Sequence, residues 1–407
     1  MNEATITYMR QHADDDVRQL ALCGSNNPDV DLPLALQQIA GRQTARQKLP
    51  TWAALDGILY PPHLSMEQCS SERTARYKQS VCRALFGTLC CDSVVTTPTL
   101  VDLTGGFGVD FSFIASLFPK AIYVERQEPL CDLARHNFKE LGLGHAEVVC
   151  ADSTDYLHQM DHVSLIFVDP ARRNEHGGRT YGIADCTPDV LVLRDLLLQK
   201  ADFVMLKLSP MLDWHKTVED LGPQWVQEVH IVATGGECKE LLVVLSAKES
   251  RPLRLVCVND DEQWEVPQVS PTQVLPCNFP TLAELQEDAF LYEPNATIMK
   301  AGCFTELSIH FGVTPLAHNS HLFTSTHLIA DFPGRRFKVL NISSMNKREL
   351  KDKVLPLRQA NITARNFPLS VAELRKRLKL SDGGSTYIFA TTLADNSHML
   401  IICQQVF

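Results

Sequence analysis

The middle of the chain alternates short runs of β-branched and other apolar residues with stretches of helical spacing. Between residues 98 and 249 the pattern predicts seven strands: TLVDLT, AIYVER, AEVVCAD, SLIFVDP, DFVMLKLSP, EVHIVAT and ELLVVLSA. Strands that alternate with helices are typical of a parallel sheet with crossover helices. Only a short glycine-containing turn separates the last two strands, so we expect them to form a hairpin.

The flanking regions have different patterns. Helical spacing in VDLPLALQQIAGRQTARQKLP and SSERTARYKQSVCRALFGTL, on either side of Pro-rich YPPHL, predicts a helical domain over residues 1–95. The predicted α/β core then spans residues 96–250. Residues 251–333 contain the strand candidates RLVCV and TELSIHF around one helix, LAELQEDAF. Residues 334–407 contain the strands RRFKVLNI, TYIFATTLA and HMLIICQQV with basic helices between them, so the last two domains are expected to be small and α+β.

Composition places the protein in the globular class. It has 407 residues, of which 45% are hydrophobic and 21% charged. No apolar run is long enough to cross a membrane, and the acidic start MNEATITYMRQHADDDVRQL contains no apolar signal segment, so we expect a cytoplasmic location. The 13 cysteines show no C-x-x-C spacing and the histidines no ligand spacing. We therefore expect reduced thiols and no metal, and we assign the adjacent Cys90 and Cys91 to a helix end.

The net charge of −10 conceals one basic segment. Residues 335–380 hold 13 Lys and Arg against three acids, which leaves a net charge of about −20 on the rest of the chain. A basic segment on an acidic protein indicates contact with a polyanion. A solvated basic face explains the same charge equally well.

The first predicted strand ends in a glycine-rich turn, LVDLTGGFGVD. The turn lacks the G-K-[ST] of a phosphate-binding P-loop, and Phe111 stands where a dinucleotide site has its third glycine. Acids accompany three successive strands: Asp102 lies within the first, Glu125 ends the second and Asp152 follows the third. Glu125 can accept hydrogen bonds from both hydroxyls of a ribose, and Asp152 can hold an adenine amino group. The alternative is that the glycines only turn the chain and the acids only cap helices.

This combination resembles the cofactor site of class I methyltransferases, which implies S-adenosyl-L-methionine as the cofactor. Gln68 and Thr74 belong to LSMEQCSSERTARYKQSV, which resembles the element that holds the methionine end of the cofactor in many nucleic-acid methyltransferases. Ordinary helix capping explains those two residues equally well. The candidate cofactor-binding residues are Gln68, Thr74, Asp102, Thr104, Gly105, Gly106, Phe107, Gly108, Asp110, Glu125, Arg126, Asp152 and Ser153.

The fourth predicted strand ends in SLIFVDPARRN, where ligands bind in open α/β sheets. The segment resembles the [DNS]-P-P-[YFW] motif of methyltransferases that act on exocyclic base nitrogens, but Ala171 replaces the second proline and Arg172 the aromatic residue. We predict Asp169, Pro170 and Arg172 as catalytic, with a helix cap as the alternative for Asp169. A surface or cap role is at least as compatible with Lys207, which ends the fifth strand, as catalysis is.

Five segments extend the resemblance over nearly the whole chain: EQCSSERTARYK, DLTGGFGVD, DPARR, YEPNATIMKAG and RNFPLSVAELRKRLKL. They are similar to a bacterial family of inferred RNA methyltransferases. That family has a helical N-terminal domain, a Rossmann-like class I core with a seven-stranded, mostly parallel sheet, a ferredoxin-like insert and a C-terminal THUMP-like domain. THUMP domains help RNA-modifying enzymes to grip structured RNA, so the resemblance implies RNA bound through residues 335–380.

The resulting hypothesis is S-adenosylmethionine-dependent methylation of tRNA or rRNA. A base nitrogen is the expected acceptor, held in line with the methyl group while Asp169 accepts its hydrogen; an oxygen acceptor satisfies the same scheme. Two alternatives stay open at this point. One is an RNA-binding protein with a vestigial cofactor fold, and the other is a small-molecule methyltransferase.

Overall fold

The computed structural model describes residues 1–87, 97–172, 182–248, 251–267, 279–280, 285 and 289–407. The chain forms two compact units. The first comprises Met1–Val229 and Glu240–Leu253, and the second comprises His230–Lys239 and Arg254–Phe407. The predicted Cys90–Cys91 helix end lies outside the described residues, and so does nearly all of the predicted helix LAELQEDAF.

The helices are α1 (Glu3–Gln11), α2 (Val17–Cys23), α3 (Leu32–Lys48), α4 (Pro50–Ala53), α5 (His63–Gln68), α6 (Glu72–Gly87), α7 (Val109–Ala115), α8 (Glu128–Glu140), α9 (Ser153–Gln159), α10 (Val190–Lys200), α11 (Trp214–Leu221), α12 (Ala296–Ala301), α13 (Phe304–Phe311), α14 (Lys347–Glu349) and α15 (Val371–Leu378). Short 3₁₀ turns cover Ile183–Asp185 and Leu355–Leu357, and a π-helical turn covers Leu350–Val354.

The strands are β1 (Thr99–Asp102), β2 (Lys120–Glu125), β3 (Ala146–Cys150), β4 (Val163–Val168), β5 (Ala171–Arg172), β6 (Cys186–Thr187), β7 (Ala201–Leu208), β8 (Val226–Thr234), β9 (Glu237–Leu245), β10 (Arg254–Asn259), β11 (Glu262–Glu265), β12 (Phe290–Pro294), β13 (Thr314–Pro315), β14 (Phe323–Ser325), β15 (Gly334–Ser344), β16 (Asn361–Arg365), β17 (Thr386–Thr392) and β18 (His398–Val406).

The N-terminal region is helical, as its periodicity predicts. The two predicted helical stretches are confirmed as α3 and α6. The Asp31 side chain caps α3 by accepting a hydrogen bond from the backbone N–H of Leu34, which fixes where the helix begins. Helix α6 buries Lys78 and Cys82 completely and packs against α7. Through this contact, α6 places the buried Lys78 close to the start of α7.

The seven predicted core strands are confirmed, in the order β3-β2-β1-β4-β7-β9-β8. Strands β1 to β4 and β7 pair in parallel, and β9 runs antiparallel to β7. Leu100, Leu165 and Met205 are fully buried in one apolar cluster with Phe111 and Tyr123, because helices cover this parallel sheet. The carboxyl ends of β1 to β4 and β7 therefore lie along one edge of the sheet.

The second unit is α+β. The part of β8 from His230 onward belongs to it and lies next to β10, the confirmed RLVCV strand, which pairs antiparallel with β11. Strands β10 and β11 are additional to the seven predicted core strands. A second sheet has the order β13-β14-β12-β15-β18-β17-β16, in which β16 and β17 are parallel. It separates two apolar clusters, with Phe389 in one and its neighbours Ile388 and Ala390 in the other.

One strand prediction in this unit is wrong. TELSIHF forms most of α13, not a strand. The alternation of Leu307, Ile309 and Phe311 suggested a strand, but the helix buries Leu307 beside Ser308 and leaves Ile309 42% exposed. The predicted strands at residues 335–342, 386–394 and 398–406 are confirmed as β15, β17 and β18.

Candidate active site

A cleft of about 710 Å³ lies in the first unit at the carboxyl ends of the parallel strands. It brings together most of the predicted site residues: Gln68, Asp102, Thr104, Gly105, Gly106, Phe107, Gly108, Asp110, Glu125, Arg126, Asp152, Ser153 and Asp169. Thr74 and Pro170 are not among the lining residues. Arg172 ends the short strand β5, and its side chain lies outside the described part of the chain.

The glycine turn is shaped on one side by packing and is open on the other. A Cβ on Gly105 would lie 2.2 Å from the ring of Tyr123, so no larger residue fits there. Gly106 has a φ of +56°, and a Cβ built on it would meet no neighbouring atom closer than 3.8 Å. A glycine with positive φ beside free space inside a cleft allows a ligand to approach the backbone closely. The turn therefore fits the S-adenosylmethionine that the sequence implies.

Glu125 lies directly beside this turn. Its carboxylate accepts hydrogen bonds from the backbone N–H of Gly106 at 3.0 Å and of Gln127 at 2.8 Å. Each carboxylate oxygen keeps further acceptor capacity, so the group can also accept from a ribose. Asp152 is exposed and caps α9 by accepting from the N–H of Thr154 at 2.8 Å. The capping role considered for this acid is thus present, and the same side chain lines the cleft.

The ends of β1 and β4 are joined through Thr104. Its backbone N–H donates to Asp102 at 2.9 Å, and its hydroxyl oxygen accepts from the backbone N–H of Asp169 at 2.6 Å. Burial raises the pKa of Asp102 to about 8, and the nearby carboxylates of Asp110 and Asp169 contribute to the rise. The cleft therefore holds one carboxyl group that keeps its proton at neutral pH.

Lys207, which the sequence left between a surface or cap role and catalysis and which is not among the predicted site residues, is a functional candidate in the structure. Its ammonium group lies in the cleft, donates a hydrogen bond to Asp169 and lies 3.6 Å from Asp110. Burial lowers the pKa of Lys207, but the carboxylates of Asp169, Asp110 and Glu240 outweigh it and raise the pKa overall, so the side chain stays charged. The available signal was a single lysine within the otherwise apolar run FVMLKL.

A second lysine lies behind the first. Lys78, on α6, is fully buried and donates to both carboxylate oxygens of Glu240 at 2.6 Å. It also lies 3.2 Å from Asp110. Two lysines and three carboxylates thus form a continuous cluster that runs from the interior of the first unit to the cleft. Its members are Lys78, Glu240, Asp110, Lys207 and Asp169.

The residues predicted near the methionine end of the cofactor divide into two groups. Gln68 lines the cleft, together with Ser65 and Cys69. Thr74 is 2% exposed, and its hydroxyl donates to the Ser71 carbonyl at 3.1 Å. Its backbone N–H donates to the Ser71 hydroxyl at 3.2 Å, so Thr74 takes part in the capped first turn of α6. In the part of the chain that the structure describes, no group of three His, Cys, Asp or Glu side chains is arranged to hold a metal ion, and no helix is long and apolar enough to cross a membrane.

The strand order and the glycine turn at the end of β1 define a class I methyltransferase fold. A crystal structure of a "putative methyltransferase" from Porphyromonas gingivalis W83 is 32% identical to this chain, with a TM-score of 0.80. The match covers 99% of this chain and 98% of that one. The chain belongs to the same family. A THUMP domain-like model matches residues 334–405, and a ferredoxin-like domain model matches residues 290–333.

Other solved structures match only part of the chain, at low identity. An rRNA methylase from Streptococcus thermophilus is 14% identical, with a TM-score of 0.29, over 42% of this chain and 92% of that one. A precorrin-6y C5,15-methyltransferase from Geobacter metallireducens GS-15 is 15% identical, with a TM-score of 0.31, over 43% of this chain and 88% of that one. No curated protein matches the sequence.

Proposed function

We propose that this protein is an S-adenosylmethionine-dependent methyltransferase that acts on tRNA or rRNA. The observation that carries the proposal is the open face of Gly106, which lies inside the cleft and beside a carboxylate that can accept from a ribose. Membership of a methyltransferase family and the THUMP-like region at residues 334–405 support the reaction and the RNA substrate.

The cofactor would be held by residues that line the cleft. Gly106 would admit its close approach, Glu125 would accept from the ribose and Asp152 would accept from the adenine amino group. Gln68 would lie at the methionine end. When bound, S-adenosylmethionine supplies an electrophilic methyl group, and Asp169 is the carboxylate that would accept the proton of a nitrogen or oxygen acceptor.

The RNA is expected to contact exposed lysine and arginine side chains of the basic segment, residues 335–380. Arg375 is paired with Asp382 at 2.6 Å, and Glu293 binds Arg335 and Arg365. Lys376, Arg377 and Lys379 are exposed, on or directly after α15. Unlike Arg335 and Arg365, which bind the same glutamate, these exposed cations are suited to contact the phosphate backbone of RNA. The last two of the four proposed domains, 251–333 and 334–407, contain the regions that the family models match.

Cofactor binding is tested with Glu125→Gln, which keeps the size of the side chain but removes a charged acceptor. A charge-assisted hydrogen bond contributes about 1.5–3 kcal/mol, so affinity for S-adenosylmethionine should fall about tenfold or more by calorimetry. Glu128→Gln, at an exposed acid three residues later, is the control and should leave affinity unchanged. Equal affinities for the two variants would contradict the assignment of Glu125.

Methyl transfer is tested with tritium-labelled cofactor and total RNA from a strain that lacks the gene. Label should enter RNA only with active protein.

For RNA binding, Arg377→Gln should reduce the salt dependence of affinity by about one unit of slope, since each phosphate contact contributes about that much. Arg375→Gln removes a charge that Asp382 already neutralises and should leave the slope nearly unchanged. The same slope for both variants would argue against a phosphate contact at Arg377.

A further inference from the structure

We infer that the methyl acceptor is a hydroxyl oxygen, the 2′-hydroxyl of an RNA ribose, held between Asp169 and Lys207. The inference rests on the proposed function and decides which atom of the RNA reacts. It replaces the base nitrogen that the Asp-Pro-Ala-Arg segment suggested by its resemblance to an amine-methylating motif. Hydroxyl groups of unmodified RNA within the chain are all ribose 2′-hydroxyls, so a hydroxyl acceptor identifies the position on the nucleotide.

The geometry places a cation and a carboxylate side by side at the reacting edge of the sheet. Strands β4 and β7 are parallel neighbours, and Val168 lies opposite Leu206. The next residue on each strand's chain, Asp169 after Val168 and Lys207 after Leu206, is therefore adjacent to the other. Their side chains form an ion pair, with 38% of Asp169 and 14% of Lys207 exposed. Both line the cleft, and the carboxylate is the more open of the two. An acceptor group that enters the cleft can therefore contact both.

The charge of Lys207 distinguishes an oxygen acceptor from a nitrogen acceptor. A hydroxyl is a weak acid and a poor nucleophile, so it must lose its proton as the new bond forms, and negative charge develops on the oxygen. A fixed ammonium group beside the reacting oxygen stabilises that charge. An amine acceptor instead gains positive charge as it is methylated, a change that the carboxylate can stabilise but the ammonium group cannot, so Lys207 would have no role in that reaction. The Lys207–Asp169 pair suits the hydroxyl.

The interior of the first unit holds this pair in place. Asp110 lies between the two lysines, 3.2 Å from Lys78 and 3.6 Å from Lys207, and accepts a hydrogen bond from Ser70 at 2.7 Å. Glu240 fixes Lys78 from the other side through two bonds of 2.6 Å. Lys78 and Glu240 do not line the cleft, so they act as positioning residues for Asp110, which in turn helps to hold the Lys207 ammonium group next to Asp169.

The aromatic residues of the described cleft do not provide a platform for a base. Phe107 and Phe167 line it, but they are only 6% and 2% exposed. Phe107 packs against Trp52 with ring centroids 4.9 Å apart, and Phe167 belongs to the apolar cluster of the sheet. Enzymes that methylate a base hold it by stacking in a pocket. The charged side chains of Asp110, Asp169 and Lys207 are among the described residues that line the cleft.

The reaction balances without any further reagent. The O–H bond of the ribose breaks as the O–CH₃ bond forms, and the proton moves to the Asp169 carboxylate. The electron pair of the S–CH₃ bond stays on sulfur, so the sulfonium becomes a neutral thioether. Asp169 then releases the proton to solvent, which its exposed position allows. Lys207 remains an ammonium group throughout.

Product analysis tests the inference. RNA from a strain that lacks the gene is methylated by the full-length protein with isotope-labelled cofactor, digested to nucleosides and examined by tandem mass spectrometry. We expect the label on the ribose fragment. Label confined to base fragments would overturn the inference and leave the proposed function standing. If no label enters any RNA while the protein binds the cofactor, both the inference and the RNA methyltransferase assignment fail.

Two substitutions of Lys207 provide a second test. Lys207→Met should lower kcat on the order of a hundredfold or more, while Lys207→Arg keeps the positive charge and should restore much of the rate. Calorimetry with S-adenosylhomocysteine should show affinities within about threefold of the parent protein for both variants if they fold. A folded Lys207→Met variant with an unchanged rate would overturn the role of Lys207. If Lys207→Met does not fold, the Lys207→Arg variant decides. A Lys207→Arg rate as low as that of Asp169→Asn would then overturn the role of Lys207.

Discussion

Replacing Lys78 by methionine should destabilise the first unit severely. The lysine side chain is fully buried, and its ammonium group lies 2.6 Å from both oxygens of Glu240, whose side chain is 3% exposed. Methionine has a similar length and no charge, so it fills the space without providing a cation. Glu240 would then be a buried carboxylate with no opposite charge in contact, whereas Asp110 would keep Lys207 and Ser70 as partners.

The size of the destabilisation follows from the loss of the cation that pairs with Glu240. Removing one partner of a buried ion pair costs about 3–5 kcal/mol, because the charge left behind has lost both water and its partner. Burial already raises the pKa of Glu240, and Lys78 is the main group that opposes the rise. Without Lys78, Glu240 should hold a proton in the folded state and release it on unfolding. The loss of stability should therefore grow as the pH rises above the ordinary glutamate pKa.

Urea unfolding followed by circular dichroism at about pH 5 and about pH 8 measures both effects. Lys216→Met is the matched control, since Lys216 lies 2.6 Å from Asp220 but is 63% exposed, and such a pair contributes little. The double variant Lys78→Met, Glu240→Gln should recover part of the stability because it removes the stranded charge. A midpoint for Lys78→Met equal to that of the control, or a loss that does not depend on pH, would refute the reasoning.

Three further outcomes are expected. The parent protein should lose stability as the pH rises from about 4 to about 8, because its folded state keeps the Asp102 proton over this range. Asp102→Asn should abolish this loss. Unfolding measured as a function of pH should show a difference of about 1.4 kcal/mol for each unit by which the pKa is shifted. Gly105→Ala should cost about 1–3 kcal/mol in thermal unfolding, whereas Gly144→Ala, where a Cβ meets no atom within 4 Å, should cost little. Glu293→Gln should weaken the second unit by about 1–3 kcal/mol, because this buried carboxylate binds two arginines.

The core sheet was predictable because its signal is local. Seven short apolar runs separated by helical spacing leave few alternatives to a parallel sheet, and all seven are strands. The strand prediction for TELSIHF was wrong because a short run with alternating apolar residues also has helical spacing. The spacing of apolar residues alone does not decide between a strand and a helix. The backbone hydrogen bond from Leu307 to Cys303 at 3.0 Å and the burial of Leu307 beside Ser308 are those of a helix.

The site was predictable where its residues are contiguous and hidden where they are not. Gly105 and Gly106 belong to one motif, and Glu125 ends the next strand, so their proximity follows from parallel topology. Lys78 and Glu240 are 162 residues apart and form an ion pair only because α6 packs close to β9. No spacing rule connects a lysine on a helix with a glutamate on an antiparallel strand.

The buried charges of the first unit are difficult to explain by stability. A buried ion pair gains little over apolar residues of similar volume, and such a replacement is often neutral or stabilising. The cluster that contains Lys78, Glu240 and Asp110 therefore brings the fold little advantage in stability. It does end in the cleft, at the pair formed by Lys207 and Asp169. Rigid ammonium and carboxylate groups at that point stabilise charge as it develops, because their orientation is fixed before the substrate arrives. Under the proposed function, a role in methyl transfer accounts for the arrangement of these charges better than folding does.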